Sequence, residues 1–280
     1  METVMTLAAL RAWRRGVAGD VGFVPTMGSL HAGHVSLVAR ARRENAVVVA
    51  SLFVNPTQFG AHEDLSRYPR DLERDQRLLT DAGCDLLFAP AAGEVYPPGF
   101  ATFVDVGPLA ELLEGERRPG HFRGVATVVL KLFGLVQPTR AYFGRKDAQQ
   151  LAVIRRLVRD LDVPVTVVGC PTVRDADGLA LSSRNSYLGP AERAAAPVLY
   201  RALRAAEALW REGERDAGRL REAMKSVLAS EPLAQVDYAS VVDPDSFREL
   251  QRLDGPALMA LAVRIGPARL IDNLLLHGQE

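Results

Sequence analysis

His31 and His34 stand three residues apart in the stretch Pro-Thr-Met-Gly-Ser-Leu-His-Ala-Gly-His, directly after a short apolar run at 21–24. Strand, turn and a helix opening near Gly33 are the simplest reading. That order puts two imidazoles at a helix N-terminus, where unpaired N–H groups and the positive end of the dipole attract anions. Gly28 and Gly33 let a phosphate come close to the backbone, so a nucleoside triphosphate is the natural guest. A partial zinc site, or two unrelated surface histidines, are the plainer alternatives. Zinc needs more ligands: neither Cys84 nor Cys170 lies in a paired metal spacing, and His62, Glu63 and Asp64 do not complete an HExxH helix.

Two further segments carry cations. Gly144, Arg145, Lys146 and Asp147 follow an apolar run and precede a helical pattern bearing Gln149 and Gln150, which repeats the strand-end logic of the first motif. Lys146 can meet phosphate as a point charge, whereas Arg145 taken alone reads as a surface side chain. Leu181, Ser182, Ser183 and Arg184 form a hydroxyl and guanidinium cluster in a loop starting at Arg174. Such a loop can close over a triphosphate or simply lead into a second domain. No Ser-His-Asp or Cys-His arrangement is convincing, so a covalent enzyme intermediate is not expected.

The elements that must position these residues follow from the apolar pattern. Strands are expected at 21–24, 47–54, 85–89, 102–106, 141–143 and 165–168, and helices near 33–44, 64–82, 122–136 and 147–161. Their alternation is that of an α/β fold, a Rossmann-like parallel sheet with crossover helices. The polar, Gly-rich segments fall just after strands, the edge where open parallel sheets hold ligands. Neither GxGxxG after the first strand nor a Walker GxxxxGK[ST] loop is present, so a different phosphate grip is required. After Pro190 the pattern changes to helices at about 191–212 and 216–229 and strands at 236–242 and 258–263, a smaller C-terminal α+β domain. The expected division is 1–175 and 176–280, the second part helping to close the active site.

Composition narrows the partners. Lys plus Arg and Asp plus Glu are 34 each, so a formal net charge of zero gives no global electrostatic case for nucleic acid or an anionic membrane. Two cysteines far apart point to a reducing, cytoplasmic compartment, and neither a signal peptide nor a transmembrane run is recognisable.

Taken together, PTMGSLHAGH, SLFVNPTQFG, EDLSRYPRD, GHFRGVATVV, YFGRKDAQQ and VRDADGLALSSRN, running from 25 to about 185, resemble the pantoate–β-alanine ligase family of the HIGH-type nucleotidylyltransferase superfamily. The resemblance implies ATP-dependent condensation of pantoate with β-alanine to pantothenate, AMP and pyrophosphate through a pantoyl-adenylate. It implies that Met27, Gly28, Ser29, Leu30, His31, Ala32, Gly33 and His34 wrap ATP, with His34 donating to phosphate. Gly144, Arg145, Lys146, Asp147, Val173, Leu181, Ser182, Ser183 and Arg184 would complete the nucleotide site. Of these, His31, His34, Lys146, Ser182, Ser183 and Arg184 are the expected catalytic groups. Gln58 and Gln150 match glutamines that hold pantoate, Gln58 also approaching β-alanine. A homodimer is implied as well.

Magnesium is expected because it bridges phosphate oxygens, and Asp75 is its candidate carboxylate, although Arg74 stands where the family often has a neighbouring acid. The segment 60–69, with Gly60, His62, Glu63 and Tyr68, reads as a mobile wall that shields the adenylate. Arg117, Arg118 and Arg123 read as support for a subunit contact or for the loops. The competing readings are a nucleotidylyltransferase acting on a phosphorylated acceptor, against which the two glutamine-bearing motifs argue, and a nucleotide-binding protein without turnover.

Overall fold

Strands buried on both faces need near-continuous apolar runs, and the computed structural model, which describes residues 1–60 and 63–276, places such runs in a six-stranded parallel sheet. Its strands are β1 (Glu2–Val4), β2 (Val21–Thr26), β3 (Val47–Leu52), β4 (Leu86–Phe88), β5 (Arg140–Gly144) and β6 (Thr166–Cys170), in the order β1-β4-β3-β2-β5-β6. The helices between them are α1 (Leu7–Arg15), α2 (Ala32–Glu44), α3 (Leu72–Asp81), α4 (Ala92–Val95), α5 (Glu114–Arg117), α6 (His121–Val136) and α7 (Ala148–Asp160). Side chains alternate across the sheet: Val49 packs with Leu10 of α1 and Val129 of α6, while Val48 and Ala50 pack with Val38 of α2 and Leu79 of α3. This is the expected Rossmann-like layering.

The chain divides into two compact units, the first comprising Met1–Arg145 and Gln149–Pro171, the second Lys146–Ala148 and Thr172 onward. In the second, β7 (Ala234–Val242), β8 (Ala257–Ile265) and β9 (Ala268–Leu276) form an antiparallel sheet with α8 (Pro190–Ala195), α9 (Val198–Arg211) and α10 (Ala217–Ala229). Leu199, Ala202, Leu203 and Ala206 of α9, at helical spacing, meet the alternating Met259, Leu261, Val263 and Ile265 of β8 in one core. Among the described residues no helix is long and apolar enough to cross a membrane.

Several sequence expectations need correction. Residues 102–106 form no strand: the Val104 N–H goes to Thr127 Oγ1 of α6 (2.9 Å) and the Arg123 guanidinium lies 4.3 Å from the Phe103 ring centroid, so α6 side chains, not a ladder, fix this extended stretch. The helix expected at 64–82 begins only at Leu72, because Pro69 disfavours helical backbone before it and Asp71 caps the later start by accepting from the Arg74 N–H (3.0 Å). The helix expected at 191–212 is two, broken at Pro197, and β1, α1 and β9 were not anticipated. Residues 61–62, which include His62 of the expected wall, and 277–280 lie outside the described residues.

Candidate active site

In the sheet order, β2 is the strand at which the winding reverses, with β3 on one side and β5 on the other, and ligands in open α/β sheets sit at the carboxyl ends of strands beside such a reversal. β2 pairs with β3 as far as Thr26↔Leu52 but with β5 only at Gly22↔Arg140 and Phe23↔Ala141. Beyond Phe23 the ladder to β5 stops, and Pro25 brings no N–H with which to continue it. The sheet therefore parts where the histidine turn begins.

That turn is tightly specified. Gly28 has φ 86° and Ser29 φ 51°, and the buried carboxylate of Asp75 on α3, 1% exposed, accepts from the Ser29 N–H through Oδ2 and the Leu30 N–H through Oδ1, both at 2.8 Å. A Cβ on Gly28 would lie 3.1 Å from Asp75 Oδ2, so close approach as well as backbone angle selects glycine. Arg74 closes the clamp by donating from Nη1 to the Leu30 carbonyl (3.0 Å). Burial raises the Asp75 pKa, and the Leu30 and Ser29 N–H groups and the Arg74 charge oppose that rise.

His31 is the N-cap of α2. Its Nδ1 accepts from the Gly33 N–H (3.2 Å), and His34 Nδ1 accepts from the His31 N–H in a longer contact of 3.4 Å, a capping box built from imidazoles. The rings are 4.1 Å apart between centroids, and a Cβ at Gly33 would come within 2.9 Å of the His31 ring, which explains the intervening glycine. Because each Nδ1 accepts, the proton of each neutral ring resides on Nε2. Two imidazole N–H donors thus occupy the first turn of a helix whose dipole already favours an anion.

Gln58, 8% exposed, follows β3 in a short 3-10 turn, Pro56–Gln58, capped by Asn55. Its amide accepts from Asn55 Nδ2 (3.0 Å) and approaches Met27 Sδ from Nε2 (3.2 Å), which joins the predicted acid-binding glutamine to the histidine turn. Asn55 Nδ2 also donates to the Gly124 carbonyl (3.1 Å), and its Oδ1 accepts from Tyr96 Oη (2.9 Å) and Thr57 Oγ1 (2.9 Å). From α6, His121 Nδ1 donates to the Gln58 carbonyl (2.9 Å) while Nε2 accepts from Arg118 Nη1 (3.1 Å). Burial and the Arg118 charge depress the His121 pKa to about 4. Arg118 in turn forks onto Glu63 at 2.7 and 2.6 Å, a loop-supporting role. Sequence reasoning missed His121 and Asn55 as organisers, although both lie in motifs it singled out. Of the adjacent glutamines, Gln149 is buried and bonds the Glu114 N–H and the Leu109 and Leu112 carbonyls, whereas Gln150 is half-buried.

In the second unit, Val173 and Leu181 close a hairpin: Leu181 N–H donates to the Val173 carbonyl (3.0 Å) and Asp175 N–H to that of Leu179 (2.9 Å). Ser182 then caps a 3-10 turn, Ser183–Tyr187, by accepting from the Arg184 N–H (3.3 Å). Leu181, Ser182, Ser183 and Arg184 are all half-buried, as is Lys146, whose Nζ is 3.8 Å from Asp147 Oδ1. Arg145, next to β5, is exposed.

Asp75 does not fit a metal-ligand role, since both its oxygens already hold backbone N–H groups within the core of the turn. Among the described residues no group of three or more His, Cys, Asp or Glu side chains is arranged to hold a metal ion.

The profile of the family described as pantoate-beta-alanine ligase matches residues 2–275. The chain belongs to this family. It is 60% identical over 277 residues to the pantothenate synthetase of Herpetosiphon aurantiacus, covering 99% of this chain and 100% of that one, and 59% identical over 278 residues to that of Roseiflexus sp., with the same coverage. Among solved structures, the pantothenate synthetase of Thermus thermophilus superposes with a TM-score of 0.95 at 56% identity, covering 99% of this ligase and 100% of that chain. The pantoate-β-alanine ligase of Francisella tularensis, complexed with β-γ ATP and β-alanine, gives 0.80 at 36% identity, with 98% and 97% covered.

Proposed function

We propose that this ligase condenses pantoate with β-alanine using ATP, and that the capping box formed by the His31 and His34 imidazoles at the start of α2 is the structural observation that carries the chemistry. A carboxylate cannot expel hydroxide to form an amide at neutral pH. The pantoate carboxylate therefore attacks the α-phosphorus of ATP, pyrophosphate leaves, and pantoyl-adenylate forms. The β-alanine amine then attacks the acyl carbon, AMP departs with the bonding pair, and the amine loses its proton. No enzyme nucleophile is required.

Catalysis then consists of positioning and of donors aimed at charge developing on phosphate. His34 and His31 supply Nε2–H donors at the α2 N-terminus; Lys146, Ser182, Ser183 and Arg184 supply the further cationic and hydroxyl groups. Met27 to His34, Gly144 to Asp147, Val173 and Leu181 to Arg184 make up the proposed ATP contacts. Gln58 and Gln150 hold the hydroxyls and carboxylate of pantoate, and the rigid support of Gln58 by Asn55 and His121 favours that task. Asp75 is proposed as a positioning residue for the turn, and magnesium brought in with ATP would offset charge on the departing pyrophosphate. A homodimer in the cytoplasm completes the reading, the compartment being supported by free, buried Cys84 and Cys170. Sedimentation of the purified chain tests the dimer.

The reaction itself is tested by product analysis. Incubation with ATP, pantoate and β-alanine should release pantothenate, AMP and pyrophosphate in equal amounts. Formation of ADP and phosphate, or transfer of the nucleotide to a phosphorylated acceptor, would refute it.

A further inference from the structure

In β9 the inward row reads Ala268, Leu270, Asp272, so an acid stands where the strand's alternation calls for an apolar side chain, and it is 3% exposed. Its partner is Arg174, which forks onto it at 2.5 and 2.8 Å, donates to the Gly178 carbonyl (3.0 Å), and lies 4.2 Å from the Tyr200 ring centroid. Gly178 has φ 93°, and a Cβ there would overlap Tyr200 Cδ1, so the hairpin tip is pressed against that ring. One arginine thus fixes the hairpin whose second arm runs into Leu181 and the Ser182 cap. The next residue of β9, on the opposite face, is Asn273, and its Nδ2 donates to the Lys146 carbonyl (2.7 Å). Asn273 N–H also donates to Asp272 Oδ1 (2.8 Å), linking the two side-chain systems through one peptide.

We propose that Asp272 and Asn273 are positioning residues for the nucleotide: consecutive positions of one strand that set Lys146 and the hairpin leading to Ser182, Ser183 and Arg184 in a fixed relation. The proposal rests on the reading of those residues as ATP contacts. A buried fork of two hydrogen bonds gives direction as well as strength, and an amide-to-carbonyl bond fixes the backbone from which the lysine side chain projects. Neither Asp272 nor Asn273 needs to touch the ligand.

The test is titration calorimetry of the full chain with ATP alone and with pantoate alone, accompanied by melting temperatures. Asn273→Ala should weaken ATP binding about 5–10-fold, the scale of one lost hydrogen bond, and leave pantoate binding within about twofold. Arg174→Lys, which keeps the charge but loses the fork, should do the same through the hairpin. Because Asn273 acts through Lys146, adding Asn273→Ala to Lys146→Ala should weaken ATP binding no further than Lys146→Ala alone. Unchanged ATP affinity in both single variants overturns the proposal. A parallel loss of ATP and pantoate binding that follows the melting temperature also overturns it, by reducing the pair to a fold-stabilising role. If Lys146→Ala itself binds ATP as the parent does, the reading of Lys146 as an ATP contact has failed, a result distinct from failure of the positioning.

Discussion

His31 and His34 together close the capping box of α2: His31 Nδ1 takes the Gly33 N–H at 3.2 Å, and His34 Nδ1 takes the His31 N–H at 3.4 Å. A serine or aspartate would cap the helix as well, so capping alone does not call for imidazoles. What they add is a second nitrogen bearing a proton.

This separates stability from catalysis. His34→Gln keeps a side chain able to close a capping box, so the melting free energy should stay within about 0.5 kcal/mol, while adenylation falls ~10²–10³-fold. Chemical denaturation and single-turnover formation of pantoyl-adenylate measure the two effects on the same preparation. Equal losses in both would mean that His34 serves the helix only.

Asp75→Asn should act through the turn. An amide cannot accept from both the Ser29 and Leu30 N–H groups as the carboxylate does, and losing one charge-assisted bond at a buried site costs about 2 kcal/mol. Activity should fall together with stability, and the concentration of magnesium giving half-maximal rate should not move. Recovery of activity by excess magnesium would instead make Asp75 a metal ligand.

A methyl group at Gly124 would overlap the Thr57 carbonyl oxygen and meet the Gln58 nitrogen at 2.8 Å. Gly124→Ala must therefore push the turn bearing Gln58 away from α6, at a cost of about 1–3 kcal/mol for overpacking. In steady-state kinetics the KM for pantoate should rise several-fold and that for ATP remain close to the parent value. A rise in both alike would detach Gln58 from acid recognition.

His121 predicts a pH dependence of stability. Its pKa falls from 6.5 in the unfolded chain to about 4 in the fold, so between these values the unfolded chain binds the extra proton. The contribution is complete above about pH 6.5 and is lost as pH falls towards 4, amounting to at most about 3 kcal/mol. His121→Asn, which retains a donor for the Gln58 carbonyl, should flatten this limb of the stability profile. An unaltered limb would assign the acid sensitivity to other groups.

How much of this was legible depended on whether the signal was local. The histidine turn, β3, α6 and α7 could be read because their apolar runs, glycines and caps lie within a few residues of one another. Asp75 could not: its task is set by N–H groups 45 and 46 residues earlier in the chain, so its type suggested a metal while its place made it a clamp. The stretch at 102–106 has strand-like alternation, yet a threonine of α6 took the Val104 N–H, a competition that propensity does not register. β9 was readable in principle, since Gly266, at φ 55°, marks the turn of the hairpin with β8, but an acid and an amide in mid-strand obscured the alternation. Those two polar residues are the ones that hold the hairpin and Lys146.

In the proposed mechanism pantoate is activated by adenylation before any amine arrives. Exchange of labelled pyrophosphate into ATP, followed with pantoate present and β-alanine absent, tests it most directly. Exchange should require pantoate and be abolished by His34→Ala. No exchange under these conditions, in a preparation that still makes pantothenate when β-alanine is added, would contradict it.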